Sequence, residues 1–140
     1  MNTRIVLCVD DDSEDREIIR DLFLEEDTSW KVVEAANGQE ALTYLGTKSN
    51  KQHPPSLILL DLNMPVLDGR ETLSILKSKP ETASIPVVVF TTSNFNYDMD
   101  FCKKYGVEMV TKPLTIRESQ EVIRTIMGSL QKDANNKLPS

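Results

Sequence analysis

The chain has 140 residues, about the length of one domain, and 39% of them are apolar, enough to build a compact core. Sixteen Lys and Arg stand against 22 Asp and Glu, a net charge of −6; with no basic run, this excludes the electrostatic footprint of a direct DNA or RNA binder. No stretch approaches the ~18 apolar residues of a membrane span, the N-terminus lacks a signal-peptide layout, and Cys8 and Cys102 form neither a metal nor a disulfide pattern, so a cytoplasmic protein with reduced, buried thiols is expected.

In chain order, Ile5–Val9 reads as a first strand that runs into Asp10-Asp11-Asp12. Ile18, Ile19, Leu22 and Phe23 then have helical spacing, with Asp12 or Ser13 placed to cap that helix. Trp30 with Val32 and Val33 marks a second strand, and Ala41, Leu42 and Leu45 a second helix, whose start carries the cap-plus-acid pair Asn37 and Glu40. The ten residues 46–55 form an unusually long connection, and His53, followed by two prolines, is read as a solvated loop residue.

Leu57–Leu60 and Val87–Phe90 are apolar without alternation, as strands buried on both faces must be, and they point to a parallel sheet. Between them Leu73 and Leu76 mark a third helix; Met99, Cys102 and Tyr105 mark a fourth, closed by Gly106 in the left-handed C-terminal position. Val107–Val110 is the fifth strand, and Val122, Ile123, Ile126, Met127 and Leu130 line a fifth helix capped by Thr115 with Glu118. Five β-α units with right-handed crossovers give an α/β, doubly wound, five-stranded parallel sheet in the order 2-1-3-4-5. Residues 1–130 are expected to form the domain, and 131–140 a polar, disordered tail.

In such a sheet the ligand site lies beyond the carboxyl ends of the strands, at the point where the order reverses. That brings the Asp10-Asp11-Asp12 run and Asp61 to one crevice between strands 1 and 3. Carboxylates held together repel unless a cation intervenes, and an oxygen-only cluster without His or Cys suits a hard ion, Mg²⁺ above all. Thr91-Thr92-Ser93 after strand 4 offers hydroxyls to the same rim, and Lys112, after strand 5, an ammonium.

These motifs resemble those of the receiver domains of two-component response regulators: Val9-Asp10-Asp11-Asp12, Leu60-Asp61-Leu62-Asn63-Met64-Pro65 with Asp68-Gly69, Phe90-Thr91-Thr92, and Lys112-Pro113, in order over about residues 4–130. The resemblance implies a flavodoxin-like (βα)5 three-layer sandwich. It implies that Asp61 accepts a phosphoryl group from a phosphohistidine of a sensor histidine kinase or histidine phosphotransfer protein. Asp11 would bind Mg²⁺ directly and Asp10 largely through water, with the backbone carbonyl of Asn63 as a further ligand. Thr91 would sense the phosphoryl group and Lys112 would pair with it.

The long 46–55 connection, with Leu62-Asn63-Met64-Pro65 and Thr91-Thr92-Ser93, is similar to single-domain regulators paired with phytochrome-type kinases. Met109 stands where many receivers carry an aromatic switch residue, so that switch does not operate in its familiar form here. Output is expected through the surface of the fourth helix, fifth strand and fifth helix, toward an unidentified protein or a second copy of the chain. The chemistry is self-catalysed phosphotransfer and slow dephosphorylation, not that of a turnover enzyme. A phosphatase using an aspartyl-phosphate would want a second Asp two residues after Asp61, where Asn63 stands, and a flavodoxin-like cofactor carrier would want a Gly-rich loop after strand 1.

Overall fold

The computed structural model describes residues 4–136. Five strands, β1 (Arg4–Val9), β2 (Trp30–Ala35), β3 (Leu57–Leu60), β4 (Val87–Thr91) and β5 (Glu108–Thr111), form one parallel sheet in the order β2-β1-β3-β4-β5. The helices in chain order are α1 (Ser13–Glu26), α2 (Gly38–Gly46), α3 (Lys48–Gln52), α4 (Gly69–Ser78), α5 (Pro80–Ala83), α6 (Asn96–Lys104) and α7 (Ile116–Asn136).

Side chains alternate across the sheet and divide the core into two layers. Leu7, Val9, Ile58, Leu60 and Val89 pack with residues of α2, α4 and α6; Val6, Cys8, Leu57, Leu59 and Phe90 pack with residues of α1 and α7. All four residues of β3 are buried because the strand is covered on both faces, which accounts for its unbroken apolar sequence. Trp30 closes the second layer, its ring edge-on to Phe23 at 5.4 Å, with the guanidinium of Arg4 over it at 5.1 Å.

The predicted caps are present. The side chain of Asp12 accepts from the N–H groups of Glu14 and Asp15, that of Asn37 from Glu40, and that of Thr115 from Glu118. Glu40 reaches back to the N–H of Ala36, one residue earlier than a strict capping box. Gly106 has φ +69°, the left-handed value that its place after α6 requires.

Two expectations are corrected. The 46–55 connection contains α3, capped by Thr47 and ending at exposed His53, and a second short helix, α5, begins at Pro80 where a missing N–H does no harm. The apolar face assigned to α6 is partly wrong: Cys102 is buried but Met99 is exposed, and the buried residue one turn before Cys102 is Asp98. Helix α7 runs to Asn136; residues 137–140 lie outside the described residues. Among the described residues no helix is long and apolar enough to cross a membrane.

Candidate functional site

Strand register assembles the site. Val9 pairs with Leu60, so the next residues, Asp10 and Asp61, leave the sheet side by side, fixed by backbone bonds from Asp10 N–H to Ala35 C=O and from Asp61 N–H to Val9 C=O, both 3.0 Å. Thr91 pairs with Thr111, and the N–H of Lys112 donates to the Thr91 carbonyl at 2.7 Å, which brings Lys112 to the same edge. Four chain segments, as far apart as residues 10 and 112, therefore meet at the carboxyl end of the sheet.

The carboxylates of Asp10, Asp11 and Asp61 each place an oxygen within 4.8 Å of the others. Asp10 and Asp61 are buried, while Asp11 is exposed at the mouth. Beside Asp11 opens a cavity of about 320 Å³ that is also lined by Asn63, Met64, Pro65, Asp68 and Arg70. Asp12 does not join the cluster, because its side chain is committed to capping α1.

Lys112 reaches into this group, its Nζ 2.6 Å from Asp10 Oδ2, 2.9 Å from Asp15 Oδ2 and 3.7 Å from Asp61 Oδ2. Burial acts to lower its pKa, but the hydrogen bonds to Asp10 and Asp15 and the charges of Asp10 and Asp61 outweigh it, and the ammonium titrates above the ordinary lysine range. Burial raises the Asp10 carboxyl above the ordinary range despite the hydrogen bonds from Lys112 and the Asp12 N–H, and the charge of Asp61 adds to that rise. One ammonium thus leaves the buried charge of Asp10 incompletely offset. Three convergent oxygen ligands around an under-compensated charge fit a small divalent cation.

The remaining predicted residues are nearby. Thr91 is fully buried, and its Oγ1 accepts from the N–H of Ser93. The N–H of Asn63 donates to Asp61 Oδ1 at 3.3 Å. Met109 is half-buried and packs on the α2, α4 and α6 side of the core. Cys8, two residues before Asp10, faces the other layer, and its thiol is pushed up to about 12 by burial and by the charges of Asp10 and Glu34, so it is inert at neutral pH.

Backbone geometry beside Asp61 is demanding. A Cβ on Gly69 would stand 2.0 Å from the Asp61 carbonyl oxygen and 2.6 Å from Leu62 Cα, so only glycine lets α4 start this close to the strand end. In the preceding loop exposed Val66 has φ +69°, rare for a β-branched residue, and the N–H of Leu67 donates to the Pro65 carbonyl across it.

Three polar residues of this region were missed from sequence. Asp15 holds Lys112 from the first turn of α1, where an acidic residue is already accounted for by the helix dipole. Half-buried Arg70 and buried Asp98 form a pair between α4 and α6, and nothing in their spacing joins residues 28 positions apart.

Comparison with known proteins agrees with this geometry. The pattern described as "Response regulator receiver domain" matches residues 6–124. Response regulator Rcp1 of Synechocystis sp. is 33% identical over 127 residues, covering 89% of this chain and 85% of that protein. The crystal structure of the phosphorylated cyanobacterial phytochrome response regulator RcpA superimposes with a TM-score of 0.85 at 31% identity, covering 98% of this chain and 99% of that one. The Mn²⁺-bound form of Rcp1 superimposes with a TM-score of 0.78 at 29% identity, covering 88% and 91%. The likeness to RcpA extends the resemblance to the phytochrome-associated subgroup. With the family pattern running from β1 into α7, on a sheet of the expected order and with its acidic and basic residues gathered at one edge, the chain belongs to the response regulator receiver domains of two-component signalling.

Proposed function

We propose that this protein is a phosphoacceptor that takes a phosphoryl group on Asp61 from the phosphohistidine of a sensor kinase or phosphotransfer protein, with Mg²⁺, and signals through altered protein contacts. The observation that carries the reading is the meeting of Asp10, Asp11, Asp61 and Lys112 at one sheet edge. A carboxylate oxygen of Asp61 attacks phosphorus as the bond from phosphorus to the donor imidazole nitrogen breaks; water later attacks the same phosphorus and releases phosphate and the Asp61 carboxylate.

The chain's own residues supply position and charge. Lys112, already 3.7 Å from Asp61, is the cation available to a phosphoryl oxygen, and the Thr91 hydroxyl is the donor on the β4 side. Asp10, Asp11, Asp61 and the carbonyl of Asn63 would hold Mg²⁺, which when bound offsets the charge brought by the phosphoryl group. The Mn²⁺-bound form of the relative Rcp1 supports a divalent ion of this class.

Output is assigned to α6, β5 and α7, toward a partner protein or a second copy. Phe95, Tyr97 and Met99 at α6, Leu114 between β5 and α7, and Ile116 at the start of α7 are large apolar side chains left exposed there. Two unpaired, buried cysteines suit a reducing compartment, and the cytoplasm is the setting we assign. Incubation with phosphoramidate tests the reading: the parent protein gains one phosphoryl group only when Mg²⁺ is present, and Asp61→Asn gains none. Equal labelling of Asp61→Asn would overturn it.

A further inference from the structure

Arg70 and Asp98 lie outside the Asp61 cluster, yet they join the two loops that flank it. Arg70 stands in the first turn of α4, and its guanidinium grips Asp98 as a fork, Nε donating to Oδ1 at 2.7 Å and Nη2 to Oδ2 at 2.8 Å. Nη2 also donates to Asn63 Oδ1 at 3.4 Å, two residues after Asp61. On the far side Ser93 Oγ donates to Asp98 Oδ2 and accepts from the N–H of Phe95, while the N–H of Ser93 donates to Thr91 Oγ1 at 3.3 Å. A continuous polar chain thus runs Asn63, Arg70, Asp98, Ser93, Thr91, from the loop after β3 to the loop after β4.

The Asp98, Ser93 and Thr91 end of this chain is buried, while Arg70 is half-buried and Asn63 is exposed. Asp98 is only 1% exposed, and an ionised carboxylate so far from water persists only if paired and hydrogen-bonded. A pair of this kind adds little net stability over an apolar replacement, but its fork sets both distance and angle. Asp98 also lies in the first turn of α6, so the same carboxylate links the pocket edge to the start of that helix.

We propose that Arg70 and Asp98 are positioning residues for phosphotransfer: their fork holds Ser93, and through it the Thr91 hydroxyl, in the arrangement that receives the phosphoryl group, and ties that arrangement to α6. The proposal rests on Asp61 being the phosphoacceptor. Preorganisation of this sort acts on rate, because a group already in place needs no ordering when the donor arrives.

Two variants test it. Arg70→Lys keeps a positive charge opposite Asp98 but loses the fork, whereas Ser93→Ala cuts the chain one link further on and leaves the Arg70–Asp98 pair intact. Amide hydrogen exchange over residues 91–98 is measured in the unphosphorylated protein, and the phosphorylation rate is measured with phosphoramidate and Mg²⁺ by intact mass. Both variants are expected to exchange about tenfold faster in this segment and to phosphorylate about fivefold more slowly.

An unchanged phosphorylation rate in either variant overturns the proposal, whatever exchange shows, since the fork would then be structural only. A slower rate with unchanged exchange overturns it as well, because the segment would not be what the fork holds. Failure of the parent protein to phosphorylate is a separate result, visible in the control, that removes the proposed function and this inference together.

Discussion

The Nζ of Lys112 lies 2.6 Å from Oδ2 of Asp10, although the two residues are 102 positions apart in the chain. The contact ties the first strand end to the last across the proposed phosphoacceptor site, and it places the lysine in the grip of Asp10 and Asp15.

Removing the lysine should expose what it compensates. Lys112→Ala leaves Asp10 buried and unpaired, and unfolding in urea without metal should show a loss of about 2–4 kcal/mol. Added Mg²⁺ should restore part of that loss, since the freed carboxylate gains a cation that the unfolded chain does not hold in place. A loss under about 0.5 kcal/mol, the size expected of an ordinary surface change, would contradict the assigned role.

Acid stability should depend on Asp98. The hydrogen bonds from Arg70 hold its carboxyl below the ordinary range; burial opposes this, and the bond from Ser93 adds to it. A carboxyl lowered on folding stabilises the protein above its unfolded value of about 4, and that contribution disappears as pH falls through the lower, folded value. Asp98→Asn should therefore reduce stability at pH 7 and flatten the decline below about pH 4. Urea unfolding at a series of pH values checks this, and an acid limb as steep as that of the parent would contradict it.

Gly69 should tolerate no side chain. The atoms that a Cβ would meet, 2.0 Å away in Asp61 and 2.6 Å in Leu62, are backbone and cannot turn aside. Gly69→Ala should cost about 3 kcal/mol and disturb the Asp61 loop. Thermal unfolding measures the cost, and a change below about 1 kcal/mol would show that the loop yields.

Val66 offers the opposite outcome. Its positive φ stores strain, and its side chain is 81% exposed, so little packing is lost on truncation. Val66→Gly should stabilise the protein by about 1 kcal/mol, less the extra freedom that glycine gives the unfolded chain. A lower unfolding midpoint would mean that the side chain makes a contribution larger than the strain.

What was legible in the sequence followed from period and position. The unbroken apolar runs of β3 and β4 could only be strands covered on both faces, and once the strand order is set, Asp10 and Asp61 must emerge together. The short helices α3 and α5, of five and four residues, are too brief for a 3.6-residue period to show. The buried role of Asp98 was hidden because a charged residue on a helix reads as solvated until its partner is known, and that partner, Arg70, is supplied by another helix. The same holds for Asp15, whose contact with Lys112 exists only in the folded chain.

Chemical mapping of the phosphorylated residue tests most directly whether Asp61 is the phosphoacceptor. The protein is incubated with acetyl phosphate and Mg²⁺, reduced with borohydride to convert an aspartyl phosphate to homoserine, digested, and sequenced by mass spectrometry. Homoserine is expected at position 61 alone and is absent when Mg²⁺ is chelated. Homoserine at Asp10, Asp11 or any other aspartate with none at 61, or undiminished conversion under chelation, would contradict it.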